Sequence, residues 1–172
     1  PLSFSLDHIG PLTRTVADCA LLTNIIAGSD PNDTTSAFHP EADFLAELES
    51  GISGLKIGVP TTYGSGTSSF LEPVHPEVLR EMEKSLAVFR SAGAEIVQIP
   101  LPESFEICND MANIIAGSES SSAHANWLKQ RAEDYGSQTR ERLLTGLLFS
   151  AVDYLEALKL RKVVLNEFLQ EV

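Results

Sequence analysis

The chain has 172 residues and a mass of 18.6 kDa, enough for one domain or a large part of one. Hydrophobic residues make up 43% and charged residues 21%, so apolar burial can offset the entropy of ordering, which excludes a disordered or collagen-like chain. With 12 basic and 24 acidic residues the net charge is −12, a poor surface for nucleic acid or anionic lipid, because phosphate neutralisation supplies most non-specific affinity.

The acid excess is uneven. Residues 1–110 hold 16 acids and 5 bases and residues 111–172 hold 8 and 7, which reads as a solvated acidic face on the first part. No apolar run approaches the roughly 18 residues of a membrane span, and the N-terminus lacks the basic, apolar, small-residue order of a signal peptide. A cytoplasmic protein is expected. Cys19 and Cys108 are too few for a disulfide scaffold and sit among apolar residues, as small buried hydrophobes in a reducing compartment do.

Residues 1–11 read as a loop or short extended piece. Thr15 and Asp18 have capping-box spacing, the hydroxyl accepting from the Asp18 N–H while the carboxylate reaches back. Leu21, Leu22, Ile25 and Ile26 fall on one face of the helix that follows, and Gly28 is its stop. Residues 30–36 are turn chemistry, and Phe44, Leu45 and Leu48 predict a short helix ending at Gly51. Residues 55–59 predict a strand closed by Pro60, and 61–69 a Gly/Ser/Thr loop. Pro76 suits a helix start, with Val78, Met82, Leu86 and Phe89 as the stripe and Gly93 as the end. Residues 94–99 predict a second strand, stopped by Pro100 and Pro102. Strand, helix, strand in this order predicts a right-handed crossover in a parallel sheet.

From Phe105 onward the pattern is helical. Ile107, Met111, Ile114 and Ile115 form one stripe, with Trp127 and Leu128 further along, and residues 134–136 a turn. Leu143, Leu144, Leu147 and Leu148 predict another helix, which Gly146 weakens by about 1 kcal/mol. Ser150 and Asp153 form a second capping box. Leu155, Leu158, Leu165, Leu169 and Val172 make the last stripe, interrupted by Arg161 and Lys162. The chain thus reads as an α/β part over 1–103, with its strand–helix–strand unit near 55–99, and a mainly helical part over 104–172. It starts at Pro1, and its last helical pattern runs to Val172 with no stop signal, so the whole reads as a fragment of a single larger domain. Open sheet edges, exposed apolar faces, and self-association or marginal stability are the expected consequences.

The residues alone close no active site. His8, His39, His75 and His124 are far apart, with no metal-ligand spacing, and surface or capping histidines are expected. Asp30, Asn32, Thr34, Ser36 and Glu41 mimic a calcium loop, but Pro31 follows the first ligand and Thr35 stands where the sharp turn needs Gly, so a plain turn is expected. Residues 63–69 offer backbone amides to an anion but lack the P-loop lysine, which favours a flexible or lid-like loop. Ser53 and Lys56 fit Ser-x-x-Lys by letters, yet Lys56 belongs to a predicted strand. Ser118, Ser120, Ser121 and Ser122 have no Lys or His fixed by local spacing as a base, and a solvent-facing helix position is expected for His124. No metal or cofactor is implied.

One stretch says more. Residues 5–33, with Asp7, Gly10-Pro11, Arg14-Thr15, Asp18, the helix to Gly28, Asp30-Pro31 and Asp33, closely resemble the segment that follows the signature region in enzymes of the amidase signature family. Residues 54–60 are similar to that family's next strand. His75-Pro76 with its helix and residues 93–97 are similar to its next crossover, and 133–136 and 151–154 to its substrate-side helices. The resemblance spans nearly the whole chain and is weakest over 103–135. It implies part of an α/β/α sandwich with a mixed sheet, followed by a helical substrate-side region. It also implies hydrolysis of a carboxylic amide to acid plus ammonia or amine by a Ser–cis-Ser–Lys triad, without a cofactor. In the family the triad lysine and the Gly/Ser-rich signature precede the Asp-x-x-Gly-Pro segment. None of Lys56, Lys84, Lys129, Lys159 or Lys162 matches that lysine and no serine matches the nucleophile, so the chain alone is expected to hold no catalytic residue and to be inactive.

The resemblance gives Asp7, Gly10, Pro11, Arg14, Thr15 and Asp18 structural roles, an arginine–carboxylate pair and a helix cap among them. Asp7, His8 and Ile9 border the substrate pocket in this reading, and His124, Trp127 and Tyr135 lie where the family varies its substrate contacts. The implied partners are a small-molecule amide and the remainder of the amidase domain, with a homodimer allowed and neither nucleic acid nor membrane. A standalone amidase is the leading reading. The amidase component of a tRNA-dependent amidotransferase is second, because that component has an Asp-Gly-x-Arg-Tyr-Gly-like run in its substrate region and this chain has Glu133-Asp134-Tyr135-Gly136 instead. A non-catalytic binding module of the same fold is third.

Overall fold

The computed structural model describes residues 2–38, 40, 42–63 and 74–172. His39, Glu41 and nearly all of the loop expected as an anion cradle or lid lie outside the described residues. The chain forms two compact units, one of residues 1–3 with 52–172 and one of residues 4–51.

In the smaller unit, Thr15 is extended (φ −127°, ψ 157°) and its Oγ accepts from the Asp18 N–H at 3.1 Å, which starts α1 (Val16–Ile26) at the expected residue with one half of the expected capping box, the Thr15 side-chain bond without the return bond from the Asp18 carboxylate. Of the α1 side chains only Ala20 is buried. The predicted stripe of Leu21, Leu22, Ile25 and Ile26 stays 41–71% exposed. In residues 30–36 the carboxylates serve turns: Asp30 accepts from the Asn32 N–H at 2.8 Å, and Asp33 from the Thr35 N–H and hydroxyl at 2.8 and 2.7 Å. The short helix expected around Phe44 is instead a run of turns. There the N–H groups of Ala46, Leu48 and Ser50 donate to carbonyls three residues back. The cause is local: Asp43 takes the Asn24 amide and the Leu45 N–H, fastening the segment as an Asx turn.

In the larger unit, β1 (Lys56–Tyr63) and β2 (Glu95–Leu101) pair in parallel, with Lys56 opposite Glu95 and Tyr63 opposite Leu101. Parallel neighbours need a crossover, supplied by α2 (Pro76–Ser91). The His75 Nδ1 accepts from the Glu77 N–H at the α2 start, and Gly93 (φ +93°) makes the tight turn into β2. Both strands run past their predicted ends, β1 through Pro60 and β2 through Pro100. A proline removes one N–H from the ladder, which an open-edged strand tolerates, and the register slips between Pro60 and Thr62.

A short 3-10 turn, Glu103–Ile107, leads into α3 (Cys108–Arg131), which spans 24 residues. A second turn, Ala132–Asp134, precedes α4 (Ser137–Gly146), and α5 (Ala151–Glu171) follows, opened by a complete Ser150–Asp153 capping box. Leu101, Ile115, Leu128, Leu143, Ala157 and Val164 form the core. The end of β2 and the first 3-10 turn pack on α5, where Ser104 donates to Glu167 at 2.5 Å and the Phe105 and Phe168 rings lie 5.8 Å apart. The α/β and helical parts are therefore continuous across residue 103.

Two expectations for the helices change. On α5 the buried positions are Ala157 and Val164, while Leu155, Leu165, Leu169 and Val172 are 52–66% exposed. Small side chains allow α5 to lie close to α3, where a leucine face would hold it off. Gly146 is the last residue of α4 and a point of backbone contact. A Cβ there would collide with the Gly117 carbonyl oxygen and the Ser121 Oγ.

Gly146→Ala is expected to destabilise the chain by about 1–3 kcal/mol through overpacking, whereas Gly136→Ala, with nothing within 4 Å of its Cβ, costs within about 0.5 kcal/mol. Urea unfolding of both variants checks this. Ser150→Ala removes the α5 cap at about 1 kcal/mol. The Ser150 hydroxyl and N–H hold the Asp153 carboxyl below its ordinary value. Its contribution is therefore complete above the unfolded pKa of about 3.9 and is lost as pH falls through the lowered folded value, so the Asp153→Asn penalty shrinks between pH 7 and pH 3. The exposed leucines of α5, with Val78 and Val88 of α2 at 58% and 63%, predict self-association of the 172-residue chain in sedimentation velocity. A monodisperse monomer would contradict that.

Candidate functional site

In the smaller unit, Asp7, His8 and Ile9 occupy an exposed loop ahead of α1. The His8 Nδ1 lies 2.6 Å from the Leu6 carbonyl. A carbonyl only accepts, so Nδ1 carries the hydrogen of this bond. Ile9 is 93% exposed, an apolar side chain held out in solvent. Gly10 has open space around its Cβ position, and Pro11 is half-buried. Arg14 is exposed and makes no ion pair among the described residues, so the cap is the part of the motif that the geometry displays. An open hollow of about 1150 Å³ in this unit is lined by Asn24, Phe38, Pro40, Asp43 and Phe44 among others. Two of its polar side chains, Asn24 and Asp43, are engaged within the hollow. The Asn24 amide donates to Asp43 at 2.9 Å, its carbonyl accepts from the Phe44 N–H at 2.8 Å, and the first of these bonds lowers the Asp43 pKa most.

In the larger unit, α3 places His124, Trp127 and Arg131 at helical spacing, and the turn Ala132–Asp134 carries the chain back so that Tyr135 meets His124. The Tyr135 hydroxyl and the His124 Nδ1 share a hydrogen bond of 2.8 Å. The Trp127 and Tyr135 rings stand edge-on to the imidazole with centroids 5.3 and 5.7 Å away, and the Arg131 guanidinium lies 5.5 Å from the Trp127 centroid. His124 is half-buried rather than solvent-facing, because Leu128 one turn on anchors this side of α3 in the core. Three residues that the family resemblance marks for substrate contact thus form one cluster. It presents an aromatic face 44% exposed at Trp127, a polar edge and a cation. It holds no nucleophile–base pair.

The sequence reading misses one residue. Glu119 is 2% exposed, and its carboxylate accepts from the Ser3 hydroxyl at 2.5 Å and from the Tyr154 hydroxyl at 2.8 Å. Burial and Glu119 together push the Tyr154 phenol up to about 12, so it stays a donor at neutral pH. The available signal is register: Glu119 follows the buried Ile115 by one helical turn. The neighbouring Ser121 hydroxyl donates to the Leu143 carbonyl at 2.5 Å, and Ser120 to the Gly117 carbonyl at 3.1 Å. These two hydroxyls of the serine run are thus spent on packing.

Among known proteins, the Amidase family model matches residues 1–170. An amidase of Pseudomonas putida is 36% identical over 163 residues, covering 95% of this chain and 34% of that protein. A component of the glutamyl-tRNA(Gln) amidotransferase of Geobacter sp. strain M21 is 34% identical over 189 residues, covering 96% and 38%. A solved chain from a vestigial protein complex tied to the origins of an s-triazine catabolic enzyme superposes with a TM-score of 0.79 at 27% identity, over 98% of this chain and 34% of that one. The chain spans just over a third of the curated relatives that it matches. A family match over nearly every residue, together with the parallel crossover and helical layer described above, establishes that the chain belongs to the amidase signature family.

Proposed function

We propose that this chain is the substrate-side part of an amidase that hydrolyses a carboxylic amide to acid plus ammonia or amine. The observation that carries the reading is the amidase family match over residues 1–170. On this reading the triad lies outside residues 1–172. A serine oxygen bonds to the amide carbon, its proton passes by way of the bridging serine and lysine to the leaving nitrogen, and the C–N bond breaks. Water then cleaves the acyl-serine ester. Asp7, His8 and Ile9 border the pocket, and His124, Trp127 and Tyr135 contact the substrate. With Tyr135 donating to Nδ1, the His124 Nε2–H remains to donate to a carbonyl, and the Trp127 face offers apolar contact. The remainder of the domain completes the site, and a homodimer is allowed. No helix among the described residues is long and apolar enough to cross a membrane.

A second reading has its own support in the amidotransferase relatives, one of them 34% identical. There the released ammonia passes to a partner's active site. The full-length protein incubated with a panel of amides, glutamine included, is expected to release nitrogen and carboxylate in equal amounts, and residues 1–172 alone none. Hydrolysis by the short chain, or none by the full-length protein, overturns the proposal. A stoichiometric co-purifying partner that consumes ammonia selects the second reading. Tyr135→Phe in the full-length protein is expected to raise KM about fivefold, the worth of one hydrogen bond of about 1 kcal/mol, with kcat within about twofold.

A further inference from the structure

The hollow of about 1150 Å³ in the smaller unit is on the scale of small-molecule sites, which run from roughly 300 to 1,000 Å³. Two phenyl rings line it and both meet solvent, Phe38 at 85% exposure and Phe44 at 45%. Asp43 is the one charged residue among the described lining residues, and it too is exposed. The Asn24 amide at 2.9 Å and the Leu45 N–H at 3.0 Å both donate to its Oδ1, so the turn is fastened through a single carboxylate oxygen. The Asn24 bond, with that from Leu45, holds the carboxyl below its ordinary value, which keeps it charged at neutral pH. The Asn24 carbonyl in turn holds the Phe44 N–H at 2.8 Å, fixing the backbone of that ring next to the carboxylate. Residues 4–51 carry eight acids against one base, Arg14, so the field over this unit attracts cations.

These features select a ligand by exclusion. An anion finds no Lys or Arg among the described lining residues. A metal ion needs several oxygen, nitrogen or sulfur ligands, and no group of three His, Cys, Asp or Glu among the described residues could hold one. A neutral apolar molecule would strip water from Asp43 and return nothing. A primary ammonium brings three N–H donors to satisfy, whereas a quaternary one brings none and sets methyl groups against phenyl walls. We propose that the hollow lined by Phe38, Asp43 and Phe44 binds a quaternary ammonium group, the rings contacting its methyl groups and the carboxylate balancing its charge. This site does not rest on the amidase reading.

The test is isothermal titration calorimetry of the full-length protein with choline, ethanolamine and 3,3-dimethylbutan-1-ol, the last having the shape of choline without its charge. Choline is expected to fill one saturable site, at least about tenfold more tightly than the alcohol and more tightly than ethanolamine. Asp43→Asn is expected to weaken choline about tenfold, and Phe38→Leu and Phe44→Leu about two- to fivefold each. Raising NaCl from about 0.05 to about 0.5 M weakens it further. Asn at 43 keeps the side-chain carbonyl that accepts from Leu45, and Phe38 is too exposed for its loss to disturb packing. Should Asp43→Asn nevertheless unfold the segment, Phe38→Leu and the choline-to-alcohol ratio decide. No saturable choline binding, equal affinity for the alcohol, ethanolamine binding as tightly as choline, or binding that none of the variants changes overturns the proposal. Co-sedimentation with phosphatidylcholine vesicles separates the sources of the group. Pelleting that Phe38→Leu abolishes assigns a lipid headgroup, choline binding without pelleting assigns a free ammonium compound, and both uphold the site.

Discussion

Two helices cross with their backbones in contact only where neither carries a Cβ, and α3 and α4 meet that condition at Gly117 and Gly146. The larger unit depends on this crossing. It brings the Ser121 hydroxyl within reach of the Leu143 carbonyl and sinks Leu143 to 3% exposure. It also dictates how the chain must turn between the helices. The connection left for that turn is Ala132–Asp134 with Tyr135 and Gly136, and it sets the Tyr135 hydroxyl on His124. Glycine placement about two helical turns along α3 thus sets where the His124–Trp127–Tyr135 cluster forms, and the contacts among its members hold it there.

Buried hydrogen bonds organise much of the polar interior. The pairs Arg80–Glu77, Lys84–Glu81, Arg131–Asp134 and Lys159–Glu156 are i,i+3 contacts with side chains 55–73% exposed, a class that adds little to stability. Glu119, Ser121 and Tyr154 are different in kind. Their partners lie 22 to 116 residues away, and they pin the chain start, α3, α4 and α5 to one another. Apolar surface is distributed in the opposite sense, with leucines of α5 and the stripe of α1 left outside while alanine, valine and serine fill the contacts.

Much of the fold is legible in the sequence because it rests on local rules. The caps at Thr15 and Ser150, the helix start at Pro76 and the paired runs near 55–59 and 94–99 are short-range signals, and each recurs in the structure. What fails depends on neighbours. Stripe counting chooses Leu155, Leu165 and Leu169 as the inner face of α5, but closeness of approach selects Ala157 and Val164. Proline reads as a strand stop, although an open-edged strand admits it. Gly146 reads as a weakness in one helix and is a contact point between two. Of the candidate site, His124, Trp127 and Tyr135 are marked through family resemblance alone. Glu119 is passed over because its partners, Ser3 and Tyr154, are invisible at local spacing.

The proposed function assigns this chain the scaffold and a substrate-side surface, and places the nucleophile in sequence outside it. The most direct measurement is to treat the full-length protein with a serine-reactive fluorophosphonate and map the adduct by peptide mass spectrometry. One labelled serine outside residues 1–172 is predicted, with Ser3, Ser118, Ser120, Ser121 and Ser122 unmodified. An adduct on any serine within these residues would contradict it.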